Sequence, residues 1–77
     1  MIKNKKILIV GAGGFIGGHL VKRLMDDGNY IVATDIKPKE YWFQEFENVE
    51  NHFSMDMKDI SNCRKVTKNI DYVFNMA

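Results

Sequence analysis

The stretch from Lys6 to Gly17, Lys-Ile-Leu-Ile-Val-Gly-Ala-Gly-Gly-Phe-Ile-Gly, constrains the fold more than any other part of the chain. Ile7 to Val10 is an unbroken apolar run, three of its four residues β-branched, which suits a parallel strand covered on both faces. The glycines that follow mark a turn, with Gly11, Gly14 and Gly17 three apart. A helical apolar pattern begins at Phe15, so the turn sits at a helix N-terminus, where unpaired N–H groups and the helix dipole favour an anion. A pyrophosphate fits such a place. Gly11 lets the chain leave the strand tightly, Gly14 removes a Cβ where a phosphate must approach the backbone, and Gly17 lets the helix pack close to the sheet.

The strict dinucleotide spacing G-x-G-x-x-G needs a glycine where Ile16 stands; G-x-x-G-x-x-G is the spacing that survives. Its context is a strand before, a helix after, and an acidic residue ending the next strand. Asp35 closes the apolar run Tyr30-Ile31-Val32-Ala33-Thr34 and is placed to accept both ribose hydroxyls of the adenosine half of NAD. It would repel a 2′-phosphate, an effect that Lys37 partly offsets, so the pattern favours NAD over NADP. The alternative for Asp35 is an ordinary strand-end carboxylate.

At 77 residues the chain is at most one domain, and a domain of this size buries only about 60% of its unfolded surface. A net charge of +1, with no basic stripe interleaved with aromatics, gives no ground for a nucleic-acid partner. The N-terminal residues lead into an apolar run too short for a signal or membrane segment, so no membrane partner is expected. The single cysteine, Cys63, has no internal partner, which fits a reducing cytoplasm.

After the glycine turn, Ile16, Leu20, Val21, Leu24 and Met25 recur at helical spacing, and Gly28 stands where a helix ends. His19, in the second helical turn, has no acid or metal partner spaced to meet it and reads as a solvated or partly packed histidine. The only proline, Pro38, ends regular structure after the second strand. The aromatic segment Tyr41-Trp42-Phe43-Gln44-Glu45-Phe46 reads as a short helix or loop packed on the domain edge, with adenine stacking on Tyr41 or Trp42 as the other possibility. Asn48 to Asn51 reads as a polar connection and His52 to Asp56 as a third strand. Asp56 then lies at the carboxyl end of that strand, where its carboxylate can accept the adenine amino group beside the Met57 backbone. A turn aspartate is the alternative. Asp59 reads as the N-cap of a helix whose apolar face is Ile60, Cys63, Val66 and Ile70, which makes Cys63 a core residue rather than a catalytic thiol. Tyr72 to Ala77 reads as a fourth strand.

The alternation of strands and helices implies an α/β fold, the N-terminal half of a doubly wound parallel sheet of the Rossmann type. Its four strands should run in the order 3-2-1-4 with helices on both faces, the fourth leaving an unpaired edge and an uncovered apolar face. The residues Gly11-Ala12-Gly13-Gly14-Phe15-Ile16-Gly17, Asp35, Asp56-Met57 and Asn75-Met76-Ala77 resemble the N-terminal cofactor-binding part of the extended short-chain dehydrogenase/reductases, the sugar-nucleotide epimerases and dehydratases. Val10 stands where that family usually has threonine.

This resemblance implies NAD as cofactor, held by Gly11, Gly14, Phe15, Ile16, Gly17, Asp35, Asp56, Met57 and Ala77. It implies a nucleotide-sugar substrate and a homodimer for the full-length protein, with transient oxidation at C4 of the sugar acidifying neighbouring C–H bonds for a general acid/base pair. The family's catalytic tyrosine and lysine, four apart, have no counterpart here: Tyr30, Tyr41 and Tyr72 are followed four residues on by Thr34, Glu45 and Met76. No catalytic residue and no metal ligand is therefore assigned, and the 77-residue chain alone is expected to be inactive and to bind NAD weakly. A nucleotide-sensing module of the same fold that never had catalytic residues is the alternative, as is a chain that binds nothing.

Overall fold

The structure is a computed structural model that describes residues 2–44 and 46–77. Strand β1 (Lys6–Val10) is followed by helix α1 (Phe15–Asp26) and strand β2 (Tyr30–Thr34). A single 3₁₀ turn (Lys39–Tyr41) leads to the short strand β3 (Glu50–His52), then helix α2 (Ile60–Thr67) and strand β4 (Tyr72–Asn75). The four strands form one sheet in the order β3-β2-β1-β4, every pair parallel. Lys6 pairs with Tyr30 and Val10 with Thr34, so β1 and β2 end level, while Val10 lies opposite Asn75 on the other side. The expected order 3-2-1-4 is the order observed.

Alternation along β1 and β2 divides the core in two. Ile7, Ile9, Ile31 and Ala33 face α1 and pack with Val21 and Leu24, while Leu8 and Val32 face the opposite side and meet Met55 and Val66 of α2. Helices thus cover both faces. β1, central and fully buried in its middle three residues, shows why a run without polar alternation was needed there. β4 lies at the sheet edge, with Tyr72 and Val73 about half exposed, so the unpaired edge and thinly covered apolar face are present.

Four sequence expectations are corrected. The third strand is Glu50–His52 rather than His52–Asp56, because Ser54 takes a positive φ of 54° and turns the chain out of the sheet directly after Phe53. Ile16 is 68% exposed instead of facing the core: the first turn of α1 overhangs the carboxyl ends of the strands, and Gly17 and Gly18 make the close approach. Ile60 is likewise exposed, since α2 has only eight residues and anchors through Val66 farther along. The fourth strand stops at Asn75, two residues short of the expected end.

Local signals account for the helix ends. Asp59 caps α2, its Oδ1 accepting from the Ser61 amide at 2.9 Å and the Ser61 hydroxyl at 2.7 Å; those bonds hold its carboxyl below the usual carboxylate range. Gly28, at φ +92°, follows α1 and donates its N–H to the Met25 carbonyl. On the sheet face away from α1, Tyr30 donates to Glu50 at 3.1 Å, and the second Glu50 oxygen lies 2.7 Å from His52 Nε2. The bond to His52 is the main reason the Glu50 carboxyl is lowered, and the bond and negative charge of Glu50 raise the Tyr30 hydroxyl.

Candidate functional site

The carboxyl ends of β1, β2 and β4 converge on the glycine turn. Gly11 and Ala12 donate their N–H groups to the Thr34 carbonyl at 2.9 and 3.0 Å, which ties the turn to the end of β2. Gly11 has φ +84°, and a Cβ built there would lie 2.7 Å from the Ala77 nitrogen and 2.8 Å from the Met76 carbonyl carbon. Both the backbone conformation and the passage of the β4 exit across the turn therefore require glycine at this position. A Cβ at Gly17 would overlap the Gly11 carbonyl oxygen, so α1 sits against the turn as closely as a bare backbone allows.

The amides opening α1 are of two kinds. Gly14 donates to the Gly11 carbonyl at 3.3 Å, and Gly18 makes the first bond within the helical ladder, to Gly14 at 2.9 Å. The amides of Phe15, Ile16 and Gly17 have no acceptor among the described residues, and the N-cap residue Gly14 offers no side chain. This contrasts with α2, whose first turn is capped by Asp59. Three N–H groups and the positive end of the helix dipole are left directed outward from the strand ends.

Asp35 faces this corner. It is buried, with Oδ2 accepting from the Gly13 amide at 2.9 Å and Oδ1 from the Lys37 amide at 3.0 Å. Each oxygen keeps lone-pair capacity for a further donor. Two adjoining hollows of about 400 and 310 Å³ share Gly11, Asp35, Ile36 and Ala77. The larger also takes in Met55, Asp56, Met57 and Lys58, and the smaller Gly14 and Lys37. Asp56 lies four residues past the end of β3, in a loop where its Oδ1 accepts from the Lys58 amide at 2.9 Å.

Gly11, Gly14, Asp35, Asp56, Met57 and Ala77 thus line one continuous depression, and Phe15, Ile16 and Gly17 border it with their amides; the Phe15 and Ile16 side chains are exposed. Trp42 is in the core with its Nε1–H donated to the Lys37 carbonyl at 2.9 Å, the packed arrangement rather than an open stacking platform, while Tyr41 is 70% exposed. His19 meets the ring of Phe15 edge-on at 4.5 Å, and no group of three potential metal ligands occurs among the described residues. Cys63 is half-buried and donates its S–H to the Met57 carbonyl. No helix among the described residues is long and apolar enough to cross a membrane.

Sequence reasoning passed over Gly13. Its N–H goes to Asp35, its carbonyl accepts from the Phe43 amide at 2.9 Å, and a Cβ on it would lie 2.8 Å from Trp42 Cδ1 and 2.9 Å from Asp35 Oδ2. The signal was a fourth glycine in the turn that the three-residue spacing leaves unexplained.

Comparison with known proteins places this arrangement. Residues 7–77 match the model of the NAD dependent epimerase/dehydratase family. The chain is 43% identical over 75 residues to GDP-mannose 3,5-epimerase of Arabidopsis thaliana, and 44% identical over 72 residues to GDP-mannose 3,5-epimerase 1 of Oryza sativa subsp. indica. These matches cover 97% and 94% of the chain, which spans about a fifth of the length of either relative (20% and 19%). An epimerase from Methanothermobacter thermautotrophicus superposes on 97% of the chain, with a TM-score of 0.83 and 29% identity, over 23% of its own length. A parallel sheet in the order 3-2-1-4, a glycine turn with open amides and a matching family model over residues 7–77 lead to one assignment: the chain belongs to the NAD dependent epimerase/dehydratase family.

Proposed function

We propose that this chain is the NAD-binding portion of a nucleotide-sugar epimerase of the GDP-mannose 3,5-epimerase kind, a truncated N-terminal part of the Rossmann domain. The observation that carries the proposal is the set of three acceptor-free amides, Phe15, Ile16 and Gly17, beside a buried carboxylate at the same corner. Gly14 supports it from another direction. A Cβ there would meet nothing closer than the Gly11 oxygen at 3.7 Å, and its φ is −82°, so neither packing nor backbone conformation requires glycine. Space kept clear for a diphosphate explains it.

In this reading the Phe15, Ile16 and Gly17 amides hold the diphosphate, and Asp35, with Oδ1 and Oδ2 already fixed by two backbone N–H groups, accepts the adenosine ribose hydroxyls with its remaining lone pairs. Asp56 and Met57 border the adenine, and Ala77, where the chain leaving β4 crosses Gly11, closes the floor. NAD, once bound, supplies reversible removal of hydride from C4 of the nucleotide sugar. The chain's own share of that chemistry is binding and orientation: it supplies no acid/base residue, and the polypeptide beyond it would bring the tyrosine, the lysine and a second subunit. Isothermal titration of the polypeptide as its gene encodes it tests the assignment. NAD binding at least tenfold tighter than NADP, about 1.4 kcal/mol, is expected; binding of neither refutes it.

A further inference from the structure

The segment after β2 folds back onto the glycine turn at one point, and that point is Trp42. Its ring is 7% exposed and lies against Gly13, with Phe53 and Phe46 edge-on at 4.8 and 6.4 Å. Its Nε1–H is donated to the Lys37 carbonyl at 2.9 Å, an oxygen that also accepts from the Ser54 amide at 3.2 Å. The N–H of that same Lys37 is donated to Asp35 Oδ1. On the other side, Asp35 Oδ2 is held by Gly13, whose carbonyl is bonded to the residue after Trp42.

From this closed circuit we infer that Trp42 is a positioning residue for Asp35. It holds the Lys37 carbonyl through its indole N–H, across one Cα from the Lys37 N–H, and walls Gly13 with its ring, so the two residues whose backbone donors orient the carboxylate are both held by one side chain. The inference rests on the proposed NAD site and deepens it: the preference for a 2′-hydroxyl over a 2′-phosphate depends on Trp42, although Trp42 touches neither. A carboxylate held in one plane presents lone pairs to ribose hydroxyls and its charge to a 2′-phosphate; a carboxylate free to swing does both less well. Lys37, its carbonyl then held by the Ser54 amide alone, is also freer to bring its ammonium to a phosphate.

The test is Trp42→Phe, which keeps a ring against Gly13 and deletes the N–H. Loss of one such hydrogen bond corresponds to a change of about fivefold, so W42F should lower the NAD-to-NADP affinity ratio about fivefold by calorimetry. A variant that is merely less stable weakens both cofactors alike and leaves the ratio in place. Wild-type protein that discriminates, with a W42F variant that discriminates equally, overturns the positioning role while the NAD site stands; wild-type protein that binds neither cofactor overturns the proposed function. Amide hydrogen exchange gives a reading without ligand. In W42F the Lys37 amide should exchange faster while Ile31 and Val32 keep their rates, and an unchanged rate at Lys37 overturns the inference.

Discussion

Gly13→Ala isolates the contact between the glycine turn and Trp42. The added methyl would sit 2.8 and 2.9 Å from Trp42 Cδ1 and Cγ and 2.9 Å from Asp35 Oδ2, closer than Cβ contacts are found. The ring cannot retreat easily, because it is wedged against Phe53 and tied to Lys37. Overpacking of this kind costs about 1–3 kcal/mol. Against it stands a gain of about 0.4–1 kcal/mol from a stiffer unfolded chain, available here because positive φ among the described glycines is confined to Gly11 and Gly28. The net expectation is destabilisation by about 1–2 kcal/mol, a fall in melting temperature of about 5–12 °C for a chain of this size. Thermal unfolding followed by circular dichroism reads it directly. The same substitution in a Trp42→Ala background should cost less than half as much, since two of the three close contacts are then gone; the difference is a coupling energy of about 1 kcal/mol. Equal costs in the two backgrounds, or a G13A variant as stable as the parent, would refute the packing argument.

Three further outcomes follow from the bonds made by the carboxylates. Asp35→Asn presents a carboxamide to two backbone donors, so either Gly13 or Lys37 loses its acceptor; urea unfolding should show a loss of about 1–3 kcal/mol, and D35A should in addition relax the preference for NAD over NADP. Glu50 and Asp59 have carboxyls lowered by folding, so their contribution is complete above the ordinary carboxylate range near pH 4.5 and is lost as the pH falls through that value and their lower folded pKa values. Glu50→Gln should therefore flatten the acid limb of a stability-against-pH curve, and an unchanged acid limb would show that the bonds to His52 and Tyr30 contribute nothing.

What was legible in the sequence is what short-range patterning controls. The run Ile7–Val10 specified a strand buried on both sides, and Asp59 placed the start of α2 through a bond to the Ser61 amide two residues on. The strand order followed from reading the β/α alternation as a doubly wound sheet with right-handed crossovers. The third strand was misplaced because Glu50 and Asn51 look polar in a row: their pairing with Val32 and Ala33 is decided by backbone bonds at a sheet edge, and the turn at Ser54 by a positive φ without a glycine to announce it. Ile16 and Ile60 were drawn to the core by helical period, but a period cannot say that a helix extends past the sheet it packs on. The clasp of Gly13, Asp35, Lys37 and Trp42 has two short-range bonds and is closed by the one between Gly13 and Asp35, 22 residues apart. No local pattern encodes it.

The central claim, that the first turn of α1 is kept open for a diphosphate, is tested most directly by amide NMR of this chain during titration with NAD, a method that detects weak as well as tight binding. The Phe15, Ile16 and Gly17 N–H resonances should shift most, with Asp35 and its neighbours moving in step. If ligand leaves these three amides in place while others shift, the diphosphate lies elsewhere and the account of the glycine turn is wrong.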